Sequence, residues 1–373
     1  MDLRTGPLLG VYLHFPWCRK LCPYCDFAVE VGEPAHDAYL AAILAELAAR
    51  ADSFPGALTS IYLGGGTPSL WRPDCIAAAI TAIRERYGAA PRETTIEANP
   101  TDCTDANLAA WRAAGIDRVS IGVQSLEPQA LVALGRDHRF GDGRSAVDRT
   151  RAAGFTTSAD FILGTPGAAL EVETLDADHL SVYELTIEER TAFGQRVRDG
   201  RLVPLDEDTL ADLYTRMHDR LTAGGFEHYE ISSYARPGKR AIHNSLYWQG
   251  APFLGLGVGA ASLQHLPGGS GIRATNPRKA LAYIAAPGTP AERVEIGAEE
   301  MATDRLWLAM RTSDGVPEGA LTASLVEEFV AGGLAERRGG RICPTLRGFL
   351  MADRVAGRIV QSTGDLVSSS EVR

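Results

Sequence analysis

Three cysteines near the start of the chain have the types and spacing of metal ligands. Cys18, Cys22 and Cys25 follow one another in the pattern C-x3-C-x2-C. Three thiolates suffice to hold three irons of a 4Fe–4S cube, which leaves the fourth iron without a protein ligand. An open metal position distinguishes a catalytic site from a closed structural one. The spacing therefore favours an iron–sulfur centre at which an external molecule binds.

Zinc and a disulfide framework are the competing uses of this triplet. Zinc would need a fourth cysteine or histidine close by, and the nearest, His14, falls in the strand pattern before the triplet. Disulfides are disfavoured because the N-terminus lacks a secretory signal and a chain of 373 residues does not need staples. Zinc stays open as the weaker alternative. The other cysteines, Cys75, Cys103 and Cys343, stand alone and are expected to be ordinary buried residues.

The elements that would position these thiols alternate along the first half of the chain. Amphipathic runs, for example at 37–50 and 74–87, predict helices between short apolar runs that predict strands. The strands are expected at 11–15, 61–63, 94–98, 118–123, 156–163 and 179–185. Six strands with helical crossovers predict an α/β fold with a parallel sheet, curved or closed, and helices outside. Functional loops should then follow the carboxyl ends of the strands.

Residues able to hold a ligand recur at those strand ends. Gly64, Gly65 and Gly66 run into Thr67, and glycines let the backbone pass close to a ligand. Each polar residue alone would be an ordinary surface or capping residue, but repetition at successive strand ends favours one shared site. The polar candidates are Glu97, Gln124, Arg136 and Asp160.

Composition restricts the classes of partner. The chain is 45% hydrophobic and 23% charged, as in a globular protein. Its net charge of −10 argues against nucleic acid as a partner, because such binding needs a basic face. No apolar stretch is long enough to span a bilayer, so no transmembrane segment is expected. These features predict a cytoplasmic protein.

The triplet, placed after a first strand and with Tyr24 just before its last cysteine, resembles the signature of the radical S-adenosylmethionine (SAM) superfamily. In that superfamily SAM chelates the unique iron, and one electron from the cluster releases a 5′-deoxyadenosyl radical. The resemblance implies that Cys18, Cys22 and Cys25 hold the cluster. It assigns SAM contacts to Tyr12, Tyr24, Gly65, Gly66, Thr67, Glu97, Gln124, Arg136 and Asp160.

Later strings narrow the resemblance to the heme chaperone HemW family, a close relative of oxygen-independent coproporphyrinogen III oxidase. The motif at 243–248, His-Asn-Ser-Leu-Tyr-Trp, carries this together with the strings around Gly65, Glu97 and Gln124. The oxidase has a fourth cysteine two residues after the third, where this chain has Phe27. The resemblance implies a chaperone that binds heme besides the cluster and SAM. Its partners would be a heme-accepting protein and an electron donor, and a homodimer is compatible with it.

His243 is the candidate heme ligand, because an imidazole can ligate iron axially. The alternative is a histidine that is hydrogen-bonded in a loop over the barrel mouth. Whether the chain is also an enzyme is left open by its residues. The competing function is decarboxylation of coproporphyrinogen III, or another radical reaction on a tetrapyrrole.

The expected organisation has four parts. These are a radical SAM (β/α)6 partial barrel at 1–235, a connecting segment with the histidine motif at 236–296, a mostly helical winged-helix-like domain at 297–360 and a disordered tail at 361–373. Two departures from the family stand out. Ala261 replaces a histidine, and the connection at 168–178 is several residues shorter than in relatives.

Overall fold

A computed structural model describes residues 7–88, 90–165 and 175–370, the last eight of these by their backbone alone. Its first half alternates strands with helices, as the apolar periodicity predicts. In chain order the elements are β1 (Leu8–Phe15), β2 (Trp17–Cys18), β3 (Glu30–Val31), α1 (His36–Arg50), β4 (Ala57–Gly65), α2 (Pro73–Tyr87), β5 (Glu93–Ala98), α3 (Asp105–Ala113), β6 (Arg118–Gln124), α4 (Pro128–Ala133), α5 (Asp142–Ala152), β7 (Thr156–Leu163) and β8 (His179–Glu184).

Six of these strands form the parallel sheet that the sequence predicts. Their spatial order is β1, β4, β5, β6, β7, β8, and every neighbouring pair is parallel. Helices cover the outer face, where Ile61, Leu63 and Ile96 are fully buried. The prediction of an α/β partial barrel is confirmed. Of the short connection predicted at 168–178, residues 168–174 lie outside the described residues.

The second half extends the sheet at both edges. Its elements are α6 (Ala192–Arg198), α7 (Glu207–Ala223), β9 (Glu227–Glu230), β10 (Ser233–Ala235), α8 (Ile242–Trp248), β11 (Phe253–Gly257), β12 (Ala261–His265), β13 (Gly271–Thr275), α9 (Ala280–Ala285) and β14 (Glu292–Ile296). Strand β11 pairs in parallel with β1, and β12 to β14 continue antiparallel. Strands β10 and β9 add to the edge at β8. The segment 236–296, predicted as a connecting segment, therefore contributes the strands β11 to β14 to the sheet.

The inner face of the curved sheet is polar and aromatic. Side chains alternate along a strand, so residues two apart share a face. Tyr62 and Glu97 are hydrogen-bonded to each other and both line a cavity inside the curve. The inward positions of β4 and β5 on the same register are Ser60, Tyr62, Gly64, Glu93, Thr95 and Glu97. A barrel filled for stability alone carries branched apolar side chains there, so this inner face is built for a ligand.

The C-terminal part forms a small three-stranded sheet with helices. Its elements are α10 (Ala298–Ala309), β15 (Val316–Pro317), α11 (Ala323–Ala331), β16 (Ala335–Arg338), β17 (Arg341–Pro344), α12 (Leu346–Leu350) and α13 (Ala352–Ser370). Phe329, Ile342 and Ile359 are fully buried in a core of its own. Within the described residues, no helix combines the length and apolarity needed to cross a membrane.

One expectation for this part is wrong. The chain from Leu346 forms the helices α12 and α13. Helix α13 then continues to Ser370, so most of the expected disordered tail is helical. Once Val355 and Ile359 anchor a helix in a core, each further turn adds backbone hydrogen bonds without a new nucleation cost. Residues 371–373 lie outside the described part of the chain.

Candidate functional site

A cavity of about 530 Å³ opens at the carboxyl ends of the parallel strands. Cys18, Cys22 and Cys25 line it, and all three are free, half-buried thiols. The other predicted ligand-binding residues that line the same cavity are Tyr24, Gly65, Gly66, Thr67, Glu97, Gln124, Arg136 and Asp160. Loops that are far apart in the sequence are thus brought together, as expected for strand ends of one parallel sheet.

The cysteine triplet begins at Cys18, the last residue of β2, and Cys22 and Cys25 follow in the loop before β3. A turn bonds the amide of Cys25 to the carbonyl oxygen of Cys22 at 3.1 Å. The Thr67 hydroxyl, from the loop after β4, donates to the Cys18 sulfur at 3.4 Å. Burial raises the pKa of the Cys18 thiol to about 11. Binding of iron would therefore release a proton from this thiol.

A buried carboxylate fixes the residue next to the first cysteine. The Arg19 guanidinium donates to both carboxylate oxygens of Asp102, at 2.5 and 3.2 Å. Asp102 is 5% exposed and also accepts a hydrogen bond from the Ser69 hydroxyl at 2.7 Å. A bidentate charged pair has a defined geometry, so it restrains the loop as well as attracting it. We call Arg19, Asp102 and Ser69 the loop clamp.

Arg136 reaches the cysteine loop from the opposite side. Its Nη2 donates to the side-chain oxygen of Asn99 at 2.7 Å and to the carbonyl oxygen of Gly122 at 3.1 Å. Its Nη1 lies 3.8 Å from the Cys22 sulfur. The backbone amide of Asn99 in turn donates to Ser69 Oγ at 3.3 Å. A continuous set of hydrogen bonds therefore joins the loop clamp to Arg136 and Cys22.

The glycine run passes too close to its neighbours to carry side chains. A Cβ on Gly66 would lie 2.6 Å from the carbonyl oxygen of Pro16, and Gly65 has a φ of +115°. The Gly66 amide donates to the carbonyl oxygen of Phe15, and the Gly65 amide donates to Glu97 Oε2 at 3.0 Å. The run thus ties the ends of β1, β4 and β5 together and exposes backbone to the cavity.

Glu97 and Asp160 place two buried carboxyl groups inside the curve. Glu97 accepts from the Tyr62 hydroxyl at 2.7 Å, and Asp160 accepts from the Ser120 hydroxyl at 3.0 and 3.1 Å. Burial is the main cause that raises the pKa of Glu97 to about 7 and that of Asp160 to about 6. A cation in the cavity would favour the ionised form of both groups. The pair therefore suits a positively charged ligand.

Gln124 is the one residue other than glycine with positive φ in the described chain, at 64°. Such conformations concentrate at ligand sites, where the surroundings hold them in place. A Cβ on Gly122 would lie 2.8 Å from the Gln124 side-chain nitrogen and 3.3 Å from Arg136. Glycine at 122 therefore gives both side chains the room to enter the cavity.

Several lining residues were not among the sequence candidates. Tyr62, Ser120 and Tyr183 line the cavity from the middle and end of their strands. Tyr62 lies two residues before Gly64, and Ser120 lies four residues before Gln124 on the same strand. Tyr183 lies two residues after Ser181, the residue of β8 that pairs with Asp160. The alternation of strand side chains could have revealed them once the inward face was identified.

Two predicted site residues do not line the cavity. Tyr12 donates to His14 Nδ1 at 3.1 Å, because the other ring nitrogen of His14 must donate to the carbonyl oxygen of Ala28. His243 lies in helix α8 instead of a loop and is 1% exposed. No histidine is among the described residues that line the cavity. Heme ligation by His243 from this cavity does not fit the structure.

The donor set fits a 4Fe–4S cluster with SAM. The thiols of one loop face a single cavity, and a threonine and an arginine direct hydrogen-bond donors at two of the sulfurs. Six acidic and three basic side chains are among the described lining residues: Asp26, Glu97, Asp137, Asp160, Glu184 and Glu188, with Arg19, Lys20 and Arg136. This acidic excess complements the sulfonium and ammonium charges of SAM.

Known proteins resemble the chain over nearly its whole length. The radical SAM superfamily matches residues 12–177. The heme chaperone HemW of Mycobacterium tuberculosis is 36% identical over 371 residues, which cover 94% of each chain. HemW of Escherichia coli is 36% identical over 285 residues, or 73% of this chain and 74% of that one. A mitochondrial radical S-adenosyl methionine domain-containing protein 1 of Mus musculus is 34% identical, covering 82% of this chain and 74% of that one.

A solved structure supports the same fold. Coproporphyrinogen III oxidase of Escherichia coli, a radical SAM enzyme, superposes with a TM-score of 0.77 over 95% of this chain and 90% of that chain. At 21% identity this likeness establishes the architecture alone. Because relatives at 36% identity cover 94% of its length, the chain belongs to the HemW family of heme chaperones within the radical SAM superfamily.

Proposed function

We propose that the protein is a heme chaperone that binds a 4Fe–4S cluster and SAM and transfers heme to a recipient protein. The observation that carries this proposal is the near full-length relationship to proteins named heme chaperone HemW. A heme-accepting protein and an electron donor for the cluster are the partners that it requires. A homodimer and a cytoplasmic location remain predictions.

Residues of this chain would hold the two cofactors at the cavity. Cys18, Cys22 and Cys25 would bind the cluster, whose role when bound is to supply one electron to SAM. The glycine run offers backbone groups to SAM. Glu97 and Asp160 would accept hydrogen bonds from its charged and polar groups, and Arg136 would pair with a carboxylate. Tyr24 lies within the cluster loop, between Cys22 and Cys25, with its ring 6.3 Å from that of Phe193.

Two features favour the chaperone over the oxidase. Phe27 is 68% exposed at the rim of the cavity, at the place where the oxidase has a further cysteine by the resemblance. The acidic excess of the lining is unfavourable for coproporphyrinogen III, which carries more anionic propionates at neutral pH than heme does. Arg19, one of the few basic groups there, is already paired with Asp102. The cavity therefore suits cationic SAM better than a polycarboxylate.

The test uses anaerobically reconstituted full-length protein. Heme is titrated by absorbance, its transfer to a heme-free recipient is followed, and coproporphyrinogen III consumption is assayed in the same preparation with SAM and a reductant. We expect stoichiometric heme binding, transfer to the recipient and no consumption of the porphyrinogen.

Variants separate the roles of the thiols. Cys22→Ala should lose the cluster, whereas Cys75→Ala, a buried cysteine in α2, should keep it. Porphyrinogen turnover that is lost in Cys22→Ala, together with the absence of tight heme binding, would instead establish the oxidase. A wild-type protein that neither binds nor transfers heme would reject the chaperone function.

A further inference from the structure

His243 is buried at the closed end of the barrel. Its backbone amide and that of Ile242 donate to the Glu93 carboxylate, each at 2.9 Å, where β5 begins. A Cβ on Gly10, in the first half of β1, would lie 3.3 Å from the His243 ring. Ser60 of β4 is hydrogen-bonded to the His243 ring. It lies five residues before Gly65, or roughly 16 Å away along the strand. The ring therefore lies well away from the cavity mouth.

Both ring nitrogens of His243 are already used. Nδ1 is 2.8 Å from the Ser60 hydroxyl, and Nε2 is 2.8 Å from the Tyr247 hydroxyl. A neutral imidazole has one donor and one acceptor nitrogen, and two hydroxyls can satisfy either arrangement. An axial bond to heme iron needs a nitrogen lone pair with open space in front of it. At this ring the one lone pair accepts a hydrogen bond from a hydroxyl, and a hydroxyl occupies the space in front of each nitrogen.

The face of the ring supports a residue of the cavity. His243 stacks on Tyr62 with ring centroids 5.0 Å apart and an angle of 27° between the planes. Tyr62 donates its hydroxyl proton to Glu97 Oε1 at 2.7 Å. Tyr12 completes this group of rings, with its centroid 6.1 Å from that of Tyr62 and 6.4 Å from that of His243. The side chain of His243 thus fixes the ring that orients Glu97.

We propose that His243 is a positioning residue for SAM binding and not a heme ligand. Helix α8 holds the imidazole against Tyr62, and Tyr62 holds the Glu97 carboxylate in the orientation that the cavity needs. The motif at 243–248 then acts on the cavity through side chains inside the barrel. Tyr247, one helical turn after His243, holds the His243 ring by a hydrogen bond and an edge contact. This inference rests on the proposed function only in placing SAM at the Glu97 end of the cavity.

The experiment compares two affinities in the same reconstituted protein. SAM binding and heme binding are each titrated for wild type, His243→Ala, His243→Phe and Tyr62→Phe. We expect His243→Ala to weaken SAM binding about tenfold, or ~1.4 kcal/mol, and to leave the heme affinity and the Soret position unchanged. His243→Phe keeps an aromatic ring against Tyr62 and should recover part of the SAM affinity. Tyr62→Phe keeps the stack but loses the bond to Glu97, so it should weaken SAM binding as well.

His36→Ala is the matched control, because His36 is a histidine on the outer helix α1 whose removal should change neither affinity. Loss of heme binding and of the Soret signature in His243→Ala, with SAM affinity intact, would overturn the proposal. Unchanged SAM affinity in Tyr62→Phe would overturn it too, even if His243→Ala proved too unstable to measure. Wild type that binds SAM but no heme would reject the chaperone function while the SAM titrations still decide the role of His243.

Discussion

Glu97 is a buried carboxyl group, and its burial disfavours the ionised form. Burial raises its pKa to about 7 from an ordinary value of 4.5, so the folded state binds a proton more tightly than the unfolded chain. The neutral acid therefore stabilises the fold fully below about pH 4.5, and this contribution is lost as the pH rises through 7.

The Glu97→Gln variant tests this sign. Glutamine stays neutral at every pH, whereas Glu97 loses its proton as the pH rises. The free energy of unfolding of the variant minus that of wild type should therefore increase as the pH rises from 4.5 to above 7. This increase should reach about 3 kcal/mol at most. Denaturant unfolding of the cluster-free protein at a series of pH values measures it. Asp160→Asn should show the same sign in a lower window that ends near pH 6. A difference that does not change with pH would contradict the buried-acid interpretation.

The loop clamp makes a second prediction at the scale of single residues. Asp102→Asn keeps the size of the side chain but removes the charge that faces Arg19, which costs about 1–3 kcal/mol because the carboxylate side of the pair is buried. Hydrogen exchange at residues 19–27 of the cluster-free protein should accelerate by about tenfold. Chelator-driven loss of the reconstituted cluster should accelerate with it.

Asp37→Asn is the control for the clamp. Asp37 pairs with Arg72 in the same bidentate geometry, but its side chain is 76% exposed, and neither residue is among the described residues that line the cavity. This variant should leave both rates within about twofold of wild type, because exposed pairs contribute little. Equal behaviour of the two variants would show that the clamp does not restrain the cysteine loop.

At the scale of elements, the loop after β4 depends on backbone contact. Gly66→Ala places a methyl group 2.6 Å from the carbonyl oxygen of Pro16, so β1 and the glycine run must move apart. We expect SAM affinity to fall by at least about tenfold, because the displaced backbone no longer meets the ligand. Calorimetric titration of the reconstituted protein measures the loss.

A glycine elsewhere provides the comparison. Gly357 lies exposed in α13, and a Cβ added there would meet no neighbouring atom within 4 Å. Gly357→Ala should stabilise the C-terminal helix by about 0.5–1 kcal/mol and leave SAM affinity unchanged. If Gly66→Ala binds SAM as wild type does, the glycine run is only a structural turn.

At the scale of the whole molecule, Glu46 joins the barrel to the strands that extend it. Its carboxylate is fully buried and accepts from Arg50 at 2.6 Å, Tyr283 at 2.6 Å, Asn276 at 2.8 Å and the Gly257 amide at 2.9 Å. One side chain on α1 thus bonds the end of β11, the residue after β13 and helix α9. The sheet extension is held to the barrel by polar contacts as well as by its own strand pairing.

Glu46→Ala should lower the free energy of unfolding by about 3–5 kcal/mol, because Arg50 is left as an uncompensated buried charge. Glu336→Ala, which removes half of an exposed pair with Arg338, should cost under about 1 kcal/mol. Chemical denaturation of both variants beside wild type measures this. A small effect of Glu46→Ala would show that strand pairing alone fixes the extension.

Two arginines of the winged-helix-like part form ion pairs with glutamates of the same chain. Arg337 bonds Glu318 and Glu327, and Arg358 bonds Glu328 on α11. These pairs connect α11 to strand β16 and to helix α13.

Local chemistry was readable from the sequence. Cysteine spacing predicted the metal-binding loop, because three thiolates within one loop can reach the irons of a single cluster. Apolar periodicity predicted the six parallel strands, and the rule that ligands bind at strand ends predicted that Glu97, Gln124 and Asp160 would share a cavity. These signals need only neighbouring residues and one general property of parallel sheets.

Tertiary structure alone decided the rest. Arg19 and Asp102 are 83 residues apart, and no local pattern couples them. Strand β11 pairs with β1 across more than two hundred residues, which turned a predicted connection into sheet. His243 belongs to a motif that suggests a heme ligand. Helix α8, however, places it at the closed end of the barrel, where both ring nitrogens are hydrogen-bonded to hydroxyls. Residue type and spacing determine which chemistry is available, whereas burial and partners determine which of it a side chain can perform.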